Sequence, residues 1–530
     1  MSIQDSSTPA AGRGRRSGGR SARVAMRAAP LADDIKPVRG GMEGGRYSPL
    51  TDGDIAAIHE TALRLLEEVG MADAPDTGIA HMTAVGATLA DDGRLRFPRA
   101  LVMEMVAKAA RDFPLCGRDP AHDIWPQGAR VHYGTAGAAV HAVDPIEREY
   151  RESTLLDLYQ AARLVDQLEN IHYFQRTVVA RDMEDATELD LNSLYACLAG
   201  TSKHIGVSFT SPQRARMGTE MCHLLAGGEE AWRARPFVSN SNTFVVPPMK
   251  FGTESCEVME VLIEGGMPIL LLSAGQAGAT APAALPGAVA QAVAECLAGV
   301  VYVNAMKPGH PAIFGTWPFV SDLRSGAMSG GSGEQALLTA ACAQMGRHYN
   351  LPIGSAAGMT DAKLPDMQAG FERGITDVMA GLAGLNLVYE SVGMHASLLG
   401  YCPESLIIDN DLIGQCLRCV RGISVTEDSL SFDVIRNVCL EGPGHYLGNA
   451  QTLSLMQRDY LYPKIADRTS PKEWLEIDRP DIVVEARKRK ETLLAAPLPR
   501  HIPEVIDAEI RAKYPIRLAV ENMGLDGMAG

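Results

Sequence analysis

Three aromatic residues and one carboxylate have the types and placement to hold a cation that cannot donate hydrogen bonds. Tyr133, Trp317 and Phe319 stand at or just beyond the ends of short apolar runs, and Glu390 ends another. Ring faces attract a quaternary ammonium through their quadrupole, and a nearby carboxylate balances its charge. The same aromatics would serve equally as rim packing. The densest polar stretch is Thr360-Asp361-Ala362-Lys363-Leu364-Pro365-Asp366-Met367-Gln368. Asp366 is explained as a helix N-cap, which leaves Asp361 and Lys363 on the loop. Glu334 follows Gly330-Gly331-Ser332-Gly333 and falls in the first turn of a helix, where a carboxylate suits the dipole anyway. Arg324, Lys363 and His395 are the candidate anchors for a negatively charged substrate group. These positions offer a single His and no Cys, so a zinc held by three His/Cys ligands is not expected. Lys363 is the one lysine placed for Schiff-base chemistry, which makes a lyase or aldolase the first competing reading.

The elements that must position these residues repeat. Eight apolar runs occur at 131–134, 171–179, 204–209, 237–243, 269–273, 312–317, 353–357 and 387–392. Each is followed by a helical pattern, at a spacing of roughly 30–45 residues, the size of a strand with its crossover helix. Helix starts are marked by Ser153-Thr154, Ser211-Pro212, Ser332 and Asp366. The expectation is an α/β fold, a (β/α)8 TIM barrel over about 129–428. Chemistry in such barrels sits at the C-terminal ends of the strands. A doubly wound sheet competes, but no GxGxxG follows a first strand and no Walker A sequence occurs. Residues 1–47 read as a disordered Arg/Gly/Ser-rich tail, dispensable through about residue 40. Residues 48–128 read as an α+β cap, and 429–530 as a C-terminal helical extension packed on the barrel.

Net charge is -15, although the first 50 residues carry nine Lys/Arg against four acids. An acidic body argues against nucleic acid as partner. The ten cysteines are scattered, and Cys416 and Cys419 share one helical face, which fits packing better than metal binding. Reduced thiols, no signal sequence and no expected membrane span suggest a cytoplasmic protein. Homo-oligomerisation stays open.

The residues also resemble a known family. Gly117-Arg118-Asp119-Pro120, Gly315 through Trp317, Arg324-Ser325-Gly326, Gly333-Glu334, Leu351-Pro352, Thr360 to Lys363, Pro365 to Gly370 and Glu372 fall in an order similar to the trimethylamine methyltransferases. So do Gly442 to Gly448, Thr452, Pro463, Asp467-Arg468 and Trp474. The resemblance implies a TIM barrel that moves a methyl group from a methylated amine to the Co(I) of a corrinoid carried by a separate protein. The archaeal trimethylamine enzymes contain pyrrolysine, whereas this chain has only standard residues. It is similar to the group without pyrrolysine, some of which demethylate glycine betaine or related quaternary amines. On this reading Asp361, Lys363 and Glu390 are the catalytic candidates. Tyr133, Trp317, Phe319, Arg324, Glu334, Gln368 and His395 are assigned to the substrate. No tightly bound cofactor is expected, because the cobalamin pattern DxHxxG is absent. A non-catalytic betaine-binding protein is the other competing reading.

Overall fold

The computed structural model describes residues 36–135, 137–497 and 499–524. Most of the expected tail lies outside these residues. Two compact units are present, one joining 36–37 with 424–461 and the other joining 38–423 with 462–524. The smaller contains the helices Glu427–Leu430, Phe432–Leu440 and Ala450–Arg458, with Val438 as its buried apolar residue.

The larger unit is built on eight parallel strands. They are β1 (Arg130–Tyr133), β2 (Phe174–Gln175), β3 (Ile205–Val207), β4 (Val238–Asn242), β5 (Ile269–Ser273), β6 (Ala312–Thr316), β7 (Gly354–Ala356) and β8 (Leu387–Tyr389). All eight expected runs contain a strand, most of them shorter than the apolar run. Strand pairing needs two backbones in register, and an apolar run can continue past the last ladder bond. One sheet pairs β1 with β8 and β8 with β7; the other runs β6-β5-β4-β3-β2. Isolated parallel bridges join the sheets at both edges, Gly134 with Tyr173 and Phe314 with Ile353.

A helix follows every strand. These are α1 (Leu155–Asp166), α2 (Ala186–Gly200), α3 (Pro212–Ala226), α4 (Thr253–Glu264), α5 (Leu285–Met306), α6 (Gly333–Tyr349), α7 (Met367–Ala383) and α8 (Pro403–Arg421). Their starts follow the sequence signals. Thr154 closes a capping box with Asp157, and Ser211 caps α3 with Pro212 at its first turn. Ser332 accepts from the Gln335 amide and Asp366 from the Ala369 amide. Helix α5 is long and apolar enough to cross a membrane, which the sequence reading did not anticipate. Most of it is buried within the protein, and its Glu295 is held by Ser273, Gln291 and the Met249 amide.

Ahead of β1 lie the helices Asp52–Arg64 and Arg99–Lys108 and the hairpin Thr88–Leu89 with Leu95–Arg96. The tail expectation needs correction at its end. Met42–Glu43 pairs antiparallel with Val131 and Arg130, and Val38 and Met42 are buried. Gly40 packs so closely on His172 that a Cβ would lie 2.7 Å from the ring. Charge and glycine content mask such a segment, because its packing depends on a partner strand far along the chain.

Segments following the C-terminal ends of the main strands build two further sheets. Gln276–Ala277, Phe319–Ser321 and Met328–Ser329 form one. His141–Asp144, Glu149–Glu152, Met394–His395 and Gly400–Tyr401 form the other.

Candidate active site

Strand alternation decides which side chains meet between the main strands. On β1, Tyr133 faces the helices and Gly134, the next residue, faces Tyr173 across the β1–β2 edge. A Cβ on Gly134 would lie 2.3 Å from the Tyr173 ring, and one on Gly354 would lie 2.7 Å from the Tyr389 ring. Two glycines thus leave room for two tyrosines. Tyr173 and Tyr389 meet edge to face with centroids 5.1 Å apart. Trp317, just past β6, lies 5.1 Å from Tyr389 and 6.3 Å from Phe319. The four rings belong to one buried cluster with Leu270, Leu272 and Met359.

Glu390 follows Tyr389 directly. Its φ of 66° is a conformation that costs a non-glycine residue energy and marks sites where direction matters. The side chain is fully buried and neither carboxylate oxygen has a hydrogen-bond partner. Burial alone pushes its pKa up to about 8; no Arg, Lys or His acts on it. Burial also drives the Tyr173 phenol well above its ordinary value, with Tyr389 and Glu390 adding to the effect. The Tyr173 hydroxyl and Trp317 Nε1 are likewise buried without partners. Each unpaired polar atom of this kind costs about 1–3 kcal/mol, so several around one aromatic cluster require a functional explanation. Together they can enclose a cation on ring faces, balance its charge, and donate two neutral hydrogen bonds.

The remaining sequence-proposed residues are placed differently. Tyr133 is not in the cluster: its hydroxyl donates to the Asp377 carbonyl at 2.8 Å, against α7. Asp361 accepts from Ser329 Oγ and the Gly330 amide, each at 2.8 Å, and from Ser397 Oγ. It therefore ties the loop after β7 to two other loops. Lys363 is exposed, its Nζ donating to the Asp361 carbonyl at 2.7 Å, and Tyr150 donates to the Lys363 carbonyl. That position lacks the desolvation a Schiff-base lysine needs. Gln368 donates to Glu372 Oε1 at 2.8 Å, while Glu372 Oε2 accepts from Thr360 Oγ1 and the Asp361 amide. Glu334 is exposed in the first turn of α6. Arg324 is 91% exposed and paired with Asp322 at 2.6 Å. His395 is buried with Nε2 on Ser405 Oγ at 2.7 Å, and burial, with the Arg373 charge, holds it neutral. Neither residue is a buried cationic anchor.

Of the sequence-proposed residues the cluster holds Trp317 and Phe319, and Glu390 acts on it through Tyr173; the cluster also holds Tyr173 and Tyr389. Side-chain parity could have found both: in a strand, residues two apart share a face, and a glycine opposite leaves room for a ring. Among the described residues, no group of three or more His, Cys, Asp or Glu is placed to hold a metal ion.

Comparison with known proteins places this geometry in context. The chain is 29% identical over 471 residues to the glycine betaine methyltransferase of Desulfitobacterium hafniense, covering 88% of this chain and 96% of that one. It is 28% identical to a trimethylamine methyltransferase of the same species, covering 89% and 94%. The trimethylamine methyltransferase of Methanosarcina thermophila is 27% identical, covering 88% and 96%. Among solved structures, the monomethylamine methyltransferase of Methanosarcina barkeri superposes with a TM-score of 0.48 at 12% identity, over 85% of this chain and 89% of that one. The sequence profile described as trimethylamine methyltransferase (MTTB) matches residues 16–519. A match over that much of the chain places it in the trimethylamine methyltransferase family.

Proposed function

We propose that the protein transfers a methyl group from a quaternary amine to the Co(I) of a corrinoid carried by a separate protein. The eight parallel strands, followed in turn by eight helices and joined at both sheet edges by parallel bridges, support a closed (β/α)8 barrel as its frame. The observation that carries the substrate reading is Glu390. A fully buried carboxylate without a hydrogen-bond partner, directly after Tyr389 and acting on the Tyr173 phenol of the aromatic cluster, is the complement of a permanent cation. Glycine betaine is the quaternary amine named for one relative.

The corrinoid supplies a two-electron nucleophile. The N–CH3 bond breaks, its electron pair stays on nitrogen, and a neutral tertiary amine leaves without being protonated. The chain's residues therefore need to orient the ammonium and exclude water rather than deliver a proton. Ring faces hold the ammonium without fixing it by directional bonds. The positive charge fades in the transition state, so ground-state attraction must stay moderate. Asp361, Gln368 and Lys363 act by holding the loops after β7 and β8 in register. Cytoplasmic location and docking of the corrinoid protein at the C-terminal strand ends belong to the same reading.

The test is anaerobic incubation of the full chain with Co(I) cobalamin and a panel of methylated amines, following loss of the Co(I) absorbance. Transfer from quaternary amines in preference to trimethylamine is expected. Equal or faster transfer from trimethylamine, or none from any quaternary amine, overturns the reading.

A further inference from the structure

We propose that the preferred substrate is a net monocation, a quaternary ammonium whose fourth substituent is an uncharged alkyl or hydroxyalkyl group, and that zwitterionic betaines are disfavoured. This rests on the quaternary-amine reading and narrows it. Tyr173, Tyr389, Trp317 and Phe319 pack in one buried cluster, the buried and unpaired Glu390 follows Tyr389 and acts on the Tyr173 phenol, and no basic group acts on Glu390.

The basic side chains that might have supplied a second charge are committed elsewhere. Arg324 is in solvent with Asp322, and Lys363 lies on the surface. Arg373 is bound to Asp409, and Lys203 donates to the carbonyls of Val165, Leu168 and Ile171. Arg176, just after β2, has Asp190 of α2 as its charged neighbour, next to the neutral Cys197 thiol. His395 is neutral and bonded to Ser405.

The charge balance follows. One quaternary nitrogen against one buried carboxylate gives a neutral pair, whose attraction is strong where water is excluded. A short betaine carries its own carboxylate one methylene from the nitrogen, so it cannot leave an enclosure that holds the ammonium. It would bring a second negative charge beside Glu390 with no cation to meet it, which is costly in such surroundings. The other unpaired groups are neutral donors, Trp317 Nε1 and the Tyr173 hydroxyl, and a hydroxyl oxygen on the substrate would satisfy them.

Protonation provides a test with a definite sign. A monocation selects the ionised carboxylate, so its affinity rises with pH up to the Glu390 value of about 8. A zwitterion does better against the neutral acid, so its affinity falls over the same range. The titratable group that meets Glu390 across the β1–β2 side is the phenol of Tyr173; the Tyr389 phenol precedes Glu390 on its own strand, and burial holds both phenols above their ordinary range. Behind Ser391 lies the buried Asp377, raised by burial and by Asp409.

Calorimetric titration of the full chain with tetramethylammonium, choline and glycine betaine at pH 6.5 and 8.5 decides the matter. Choline and tetramethylammonium should bind at least about tenfold more tightly than glycine betaine at pH 8.5, and should tighten by roughly 20-fold from the lower pH to the higher. Glu390→Gln should abolish the pH dependence and lose the preference for the monocations. Tyr173→Phe, which keeps the carboxylate and the ring, should weaken choline by more than it changes tetramethylammonium. Tighter binding of glycine betaine at both pH values, or monocation binding that ignores pH, overturns the proposal. If none of the three binds while trimethylamine is demethylated, the quaternary-amine reading itself has failed, and this proposal with it.

Discussion

Gly134, directly after β1, lies where any side chain would enter the ring of Tyr173, a Cβ there falling 2.3 Å from that ring. The absence of an atom on one strand thus sets the position of an aromatic face on the next. Gly134→Ala must push Tyr173 away from Tyr389 or spread the β1–β2 edge. Overpacking of this kind costs about 1–3 kcal/mol. Denaturant melts should show that loss, and KM for the amine should rise more than kcat falls. A variant with unchanged stability and KM would mean that the ring has room to move.

Trp317→Ala should weaken quaternary ammonium binding by about 0.5–2 kcal/mol, the usual scale of one cation–π face. Trp317→Phe keeps a face, loses the Nε1 donor, and should recover most of the affinity for tetramethylammonium. Calorimetry on the two variants separates the ring's contribution from the donor's. An unchanged dissociation constant in the alanine variant would leave Trp317 as packing.

Asp361 ties its own loop to two others through hydrogen bonds from Ser329, Gly330 and Ser397. Asn at this position loses one acceptor oxygen and the charge, at a cost of about 1–3 kcal/mol. Asp361→Asn should lower thermal stability and raise KM. Because the carboxylate is engaged in positioning, the pH dependence of kcat near neutrality should keep its wild-type shape. A new steep dependence there would make Asp361 a proton-transfer group.

Glu390 gives stability a pH signature. Its folded pKa, about 8, lies above the ordinary carboxylate value, because burial disfavours the charge. The folded chain therefore binds more protons here than the unfolded chain. The stabilising effect of the neutral acid is complete below the unfolded value and is lost as pH rises toward 8. Glu390→Gln removes this slope. Its stability relative to wild type should increase between pH 5 and 8, on the order of 1 kcal/mol per pH unit. Parallel unfolding curves at pH 5, 6.5 and 8 test it, and a constant difference between the two proteins would show that Glu390 ionises freely.

The eight strands and eight helices were legible in the sequence, because apolar runs of strand length and capping residues such as Thr154, Ser211, Ser332 and Asp366 are local signals. The family was legible too, from the order of motifs along the chain. That Trp317 and Phe319 stand just after a strand end was also legible, and both fall in the buried aromatic cluster. That Tyr133 turns toward α7 while Tyr173 and Tyr389 join the cluster was not legible, for one reason. Whether a strand residue turns toward the helices or between the strands depends on a register that shifts by a full face with each residue. Position relative to an apolar run does not settle it. Asp361, Arg324 and His395 likewise look alike in sequence as polar residues on loops. Tertiary structure ties the first to two other loops, leaves the second in solvent and buries the third against Ser405. The charge state of Glu390 was decided in the same way: a carboxylate is acidic in any sequence, and only the walls that exclude water from it raise its pKa.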